Sequence, residues 1–178
     1  MSLPLIELSH GWAVVADCAV WAVGGTATGY LTHRVSIRHW GRDSWLTRPR
    51  AFEQRPGFYE ERLRIKRWKA KLPEAGALFP DGFSKRHLQA ASRLDDVAYY
   101  QRFVVETRRA EVTHWIVLAF GPWFYLWNPW WLATAMVAYG VIANLPCIAI
   151  QRYNRLRLRR VIDRAERSTR SEHHPGQP

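Results

Sequence analysis

The strongest constraint on this chain is the run from Trp115 to Ile150, 36 residues without a single Lys, Arg, Asp, Glu or His. A hydrocarbon core of roughly 30 Å takes about 20 helical residues to cross, so the run is too long for one span and suits two. Asn128-Pro129 interrupts it near the middle, where proline removes a backbone donor and clashes with the preceding turn. The pattern predicts a transmembrane hairpin with arms at 114–127 and 130–150. The first arm is short and carries Gly121-Pro122, which predicts a kink, a tilt or a start below the membrane surface.

A second apolar block runs from Gly11 to Leu31, with Asp17 as its only charged residue. Placement of positive charge gives the orientation, because Lys and Arg near short loops stay on the cytoplasmic side. Of the 26 Lys and Arg, 18 fall between Arg34 and Arg109 and 8 between Arg152 and Arg170. The N-terminus and the Asn-Pro turn carry none and are expected outside, with the C-terminus cytoplasmic. Trp12, Trp123, Trp127, Trp130 and Trp131 gather at those outer ends, as an interfacial aromatic belt does.

The expectation is an all-α integral membrane protein of the cell membrane, multi-pass, forming one membrane domain over 1–178. Three transmembrane helices are expected, one N-terminal span at 11–31 and the C-terminal hairpin. A cytoplasmic helical and irregular segment, 32–112, lies between them, and a basic cytoplasmic tail, 151–178, follows. Topology and attraction to anionic inner-leaflet lipids account for the net charge of +11, so no nucleic-acid partner is expected. MSLPLIELSH lacks the basic start of a secretory leader, which favours a retained span. Cys18 and Cys147 both fall in expected spans and form neither a disulfide framework nor a metal motif.

Within the cytoplasmic segment, the part through Arg55-Pro56 is rich in Arg, Pro and Trp without periodicity. From Phe58 to Lys71, apolar Phe58, Tyr59, Leu63 and Trp68 sit among charges, the pattern of an amphipathic helix 58–71 at the membrane surface. Leu72-Pro73 ends it, and a loop with Gly76, Pro80 and Gly82 follows. Ser92-Arg93-Leu94-Asp95 has capping-box spacing and predicts a helix without a breaker until Gly121-Pro122. The last residues, SEHHPGQP, read as a disordered tail.

Glu111 and His114 are three apart on that helix and share a face. Arg152, Arg155 and Arg159, at i, i+3 and i+7, line one side of the helix leaving the hairpin. A carboxylate and an imidazole beside an arginine stripe can take a proton from a hydroxyl and hold a phosphate or carboxylate. The same residues equally serve to anchor spans by snorkelling. His87, between Arg86 and Leu88, is open to both readings. Asp17 costs roughly 2.5–3.5 kcal/mol near mid-bilayer, so a bond to a neighbouring helix is expected of it. Gly25-Thr26-Ala27-Thr28-Gly29 is a GxxxG pattern that lets another helix approach closely.

Trp68-Lys69 with Leu72-Pro73, Arg86-His87-Leu88, Glu106-Thr107-Arg108-Arg109-Ala110-Glu111 followed by His114-Trp115, Asn144-x-Pro146, and Gln151-Arg152-Tyr153-Asn154-Arg155-x-Arg157-Leu158 together resemble the glycosyl-4,4'-diaponeurosporenoate acyltransferase family. The resemblance covers about half the chain, in order. Members known from staphyloxanthin biosynthesis transfer a fatty acyl group to a sugar hydroxyl of a glycosylated carotenoid acid. What this implies is O-acylation of a lipid-linked sugar at the cytoplasmic face, with acyl-CoA or a similar donor as co-substrate and no resident cofactor. His87 or His114 would be the general base, with Glu106 or Glu111 orienting it. Arg109, Arg152 and Arg155, with Lys69 and Asn154, would hold the donor or the developing oxyanion.

Two other classes fit the residues. One is a small membrane methyltransferase, which also places Arg and Glu at the inner ends of helical hairpins. The other is a non-catalytic membrane subunit that docks a partner enzyme or anionic lipid.

Overall fold

The structure is a computed structural model that describes residues 4–71 and 93–173, with side chains for 4–70 and 97–168. Three long helices carry it: α1, His10–Arg34; α2, Arg93–Leu118; and α3, Trp130–His173. Among the described residues no strand forms. α1 and α3 are each long and apolar enough to cross a membrane, and only 11% and 22% of their most apolar stretches are buried. Helices of a soluble core would be mostly covered.

The chain divides into two compact units, Met1–His39 with Arg109–Ala149 and Trp40–Arg108 with Ile150–Pro178. In the first unit α1 widens to a π turn at Val20–Gly24. There Trp21 stacks on Phe124 at 5.1 Å between ring centroids and meets Tyr139 edge-on at 5.5 Å. Gly140 of α3 makes room for this indole: a Cβ on it would lie 2.5 Å from the Trp21 ring. A Cβ on Gly24 would lie 2.9 Å from Phe120, whereas one on Gly25 would meet nothing within 4 Å. The close approaches thus fall at Gly24 and Gly140, not at the start of the GxxxG pattern.

The hairpin's first arm is not one helix. α2 ends at Leu118, and Gly121–Leu126 continues as a 3-10 turn with Pro122 in its opening positions, where a missing N–H costs least. Asp17 bonds to the turn that follows. One carboxylate oxygen accepts the Trp127 indole N–H at 2.8 Å and the Asn128 side-chain amide at 2.7 Å. This supplies the bond that a carboxylate among apolar residues needs.

In the second unit, the aperiodic Arg/Trp/Pro-rich segment folds into short turns. Ser44 and Thr47 exchange hydrogen bonds between backbone N–H and side-chain oxygen at 3.0 and 3.2 Å. Ala51–Gln54 is a 3-10 turn whose Glu53 carboxylate accepts the Arg50 backbone N–H. The expected helix 58–71 is instead a π turn Phe58–Arg62, one α turn Ile65–Trp68 and a 3-10 turn Lys69–Lys71. The break after the first turn has a backbone cause: Arg64 adopts a positive φ of 47°, and a helix cannot propagate through such a residue, while Gly57, at 77°, stands just before Phe58. Ile65, fully buried, and the Trp68 indole N–H on the Leu63 carbonyl at 2.9 Å hold the turns together.

α3 runs on through Pro146 to His173. The basic tail from 151 and the first residues of SEHHPGQP are therefore helical. The Leu72-Pro73 stop, the Gly76–Gly82 loop, the Ser92 cap and the final five residues lie outside the described residues.

Candidate active site

His114 is half-buried on α2, and its Nδ1 lies 2.9 Å from Asn144 Oδ1 of α3. Asn144 Nδ2 is in turn 2.9 Å from the Gly140 carbonyl. A carbonyl only accepts, so the nitrogen end of the amide faces Gly140 and the oxygen end faces His114. Nδ1 must then be the donor. In the neutral ring the lone pair is left on Nε2, the form a general base presents to a hydroxyl. Beside it, the Thr113 hydroxyl lies 2.8 Å from that of Thr32 on α1.

The other residues singled out from sequence distribute as follows. Glu111 is fully buried, and its Oε1 accepts the Trp115 indole N–H at 3.3 Å. The group on His114 Nδ1 is the Asn144 amide. Glu106, half-buried, belongs to the second unit and Arg109, half-buried, to the first. His87 lies outside the described residues. Asn144 was legible only as part of the Asn144-x-Pro146 pair, with nothing in that pair to link it to a histidine 30 residues earlier.

The arginine stripe of α3 is committed to the protein. Arg152 donates through Nη1 to both Glu53 oxygens at 3.0 and 2.9 Å and through Nη2 to the Leu46 carbonyl at 2.6 Å. Arg155, fully buried, donates Nη2 to the Thr47 carbonyl at 2.8 Å. Arg159 donates to both oxygens of Asp43 at 2.9 and 2.7 Å, and Arg108 of α2 reaches the same carboxylate at 2.7 Å. Lys69 sits 4.8 Å from the centroid of the Tyr153 ring, a cation–π contact. Asn154 is half-buried. The forked guanidinium suits such sharing between carboxylates and carbonyls.

These contacts fix the charge states of two acids that sequence reasoning passed over. Burial pushes the Asp43 carboxyl up, but the hydrogen bonds and charges of Arg159 and Arg108 outweigh it and hold it below the ordinary carboxylate value. Glu53 behaves alike: burial raises it, while the Tyr59 hydroxyl, the Arg50 N–H and Arg152 bring it below its usual range. Both sit in the aperiodic segment, where no spacing marks them. Among the described residues no group of His, Cys, Asp and Glu is arranged to hold a metal ion.

A family model described as glycosyl-4,4'-diaponeurosporenoate acyltransferase matches residues 42–164. The match takes in Asp43, Thr47, Glu53, His114, Asn144 and the arginine stripe. The glycosyl-4,4'-diaponeurosporenoate acyltransferase of Staphylococcus aureus strain MRSA252 is 27% identical over 146 residues, 80% of this chain and 83% of its own length. That of strain USA300 is 31% identical over 115 residues, 62% of this chain and 64% of its own. No solved structure matches the chain. With more than half its length matched by one family model, the chain belongs to the glycosyl-4,4'-diaponeurosporenoate acyltransferase family.

Proposed function

We propose that this acyltransferase works at the cytoplasmic surface of the cell membrane, moving a fatty acyl group from a thioester donor such as acyl-CoA to a hydroxyl of a glycosylated carotenoid acid or similar glycolipid. The observation that carries the reading is the hydrogen bond from His114 Nδ1 to Asn144, which leaves Nε2 as the basic atom. The relatives' names supply the reaction class and the acceptor class. Support for a membrane site comes from the apolar, uncovered stretches of α1 and α3. The apolar runs of the sequence support three spans, and the placement of Lys and Arg supports an outside N-terminus and a cytoplasmic C-terminus.

In this reaction Nε2 of His114 removes the proton from the sugar hydroxyl as its oxygen attacks the thioester carbonyl. The tetrahedral intermediate collapses, the C–S bond breaks, and the imidazolium returns the proton to the departing thiolate. Ester and free thiol are the products, with no net change of oxidation state. Arg109 is assigned to the donor phosphates. Arg152 and Arg155 are assigned to the frame around Glu53 and Thr47, with Lys69 and Asn154 beside them. Glu106 and Glu111 remain the candidate assisting carboxylates, and His87 is the alternative base.

The test is lipid profiling of a deletion strain complemented with wild type or His114→Ala, with acyl and methyl groups read separately by mass. The expected result is loss of an acylated glycolipid and accumulation of its free-hydroxyl precursor in both the deletion and the variant. A missing methyl group instead would point to a methyltransferase. An unchanged profile in the deletion strain would overturn the enzyme reading altogether.

A further inference from the structure

We infer that Asn144 is a positioning residue that holds His114 in the Nδ1-protonated tautomer and thereby sets which ring nitrogen acts as base. The inference rests on the reading of His114 as that base. Three features of one small region carry it. The Gly140 carbonyl fixes the amide's direction through Asn144 Nδ2 at 2.9 Å. The amide oxygen lies 2.9 Å from Nδ1. Asn144 itself is buried, at 6% exposure, which limits competition from water for that oxygen.

The arrangement matters because the free side chain favours the other tautomer, with the proton on Nε2. An acceptor fixed on the Nδ1 side reverses that preference and leaves the lone pair on Nε2. The amide does this without adding negative charge. A carboxylate in its place would hold the same tautomer and also stabilise the imidazolium, as in the serine-protease arrangement of Asp, His and Ser. The buried amide is thus a neutral orienter. Gly140 has two roles here, since its missing side chain admits Trp21 and its carbonyl anchors the amide.

The test uses full-length protein in nanodiscs, labelled with nitrogen-15 in the histidine rings, with the His114 signals assigned by their loss in His114→Ala. Wild type should show a protonated Nδ1 and an unprotonated Nε2. Asn144→Ala should move His114 to the Nε2-protonated form or a mixture, and Asn144→Asp should keep the wild-type tautomer. Transfer from palmitoyl-CoA to glycosyl-4,4'-diaponeurosporenoate should fall about 10–100-fold in kcat in Asn144→Ala, with KM little changed. Asn144→Asp should recover most of the lost rate, which loss of packing alone would not allow. Size-exclusion profiles matching wild type identify variants that fold.

An Nε2-protonated wild type would overturn the inference, and so would an Asn144→Ala variant that changes tautomer yet transfers at the wild-type rate. Wild-type protein that shows the expected tautomer but turns over no acyl donor would instead overturn the reading of the reaction, because the spectroscopic arm does not depend on catalysis.

Discussion

Asp43 receives an arginine from each of two helices, Arg108 of α2 and Arg159 of α3, while Glu53 receives Arg152, the Tyr59 hydroxyl and the Arg50 N–H. Both carboxyls titrate below their ordinary values of 3.8 and 4.5. A carboxyl depressed in the folded state contributes stability that is fully present above its unfolded value and is lost as pH falls through the folded value. Thermal unfolding in detergent should therefore hold steady from neutrality to about pH 5 and weaken progressively below about pH 4. Asp43→Asn should lower the plateau by roughly 1–3 kcal/mol, less than a fully buried pair because Arg159 is part-exposed, and should flatten the acid limb. An acid limb as steep as wild type in Asp43→Asn would assign the loss to other groups. Sequence gave Arg152, Arg155 and Arg159 their common face through helical spacing. Their partners were not legible, since Asp43, Leu46, Thr47 and Glu53 lie about a hundred residues earlier in a stretch with no period to read.

At the scale of elements, the spacing rules work where the backbone stays regular and fail where single residues leave it. α1 and α3 are legible because an apolar run is a local property, and the helix leading to Gly121-Pro122 because nothing breaks it. The 58–71 segment has a helical pattern of side chains, yet positive φ at Arg64 divides it. An arginine does not announce such a break as a glycine would. Helix contact shows the same contrast. Gly140→Ala would drive a methyl into Trp21, whose ring is held by Phe124 and Tyr139, and should cost about 1–3 kcal/mol in detergent unfolding. Gly25→Ala, with open space around it, should be neutral or slightly stabilising, since alanine is the better helix former. Equal losses in the two variants would remove the assignment of close packing to Gly140. Arg152→Lys offers a parallel check on the frame. A single ammonium cannot serve both Glu53 and the Leu46 carbonyl as the guanidinium fork does, so Arg152→Lys should lower the melting temperature while the exposed Arg157→Lys leaves it unchanged.

For the whole molecule, hydropathy and charge carry different kinds of information. Hydropathy marks α1 and α3 as able to cross a bilayer, and charge says which way they would run, because all 26 Lys and Arg avoid the N-terminal block and the Asn-Pro turn. The hairpin's first arm is where hydropathy alone misleads. It reads as part of a continuous apolar run, yet α2 stops at Leu118 and a 3-10 turn follows, since proline forbids the regular bond pattern there. Orientation can be read chemically in a background where Cys18 and Cys147, the two free cysteines, are replaced by serine. Trp130→Cys, at an exposed position next to the Asn-Pro turn, should react with a membrane-impermeant maleimide on intact cells. Glu166→Cys, exposed near the C-terminal end of α3, should react only after the membrane is opened. Labelling of Glu166→Cys from outside, with Trp130→Cys protected, would invert the topology. On that topology a base at His114 would face away from the cytoplasmic acyl-CoA pool, and the proposed donor would have to be an acyl group carried by a lipid.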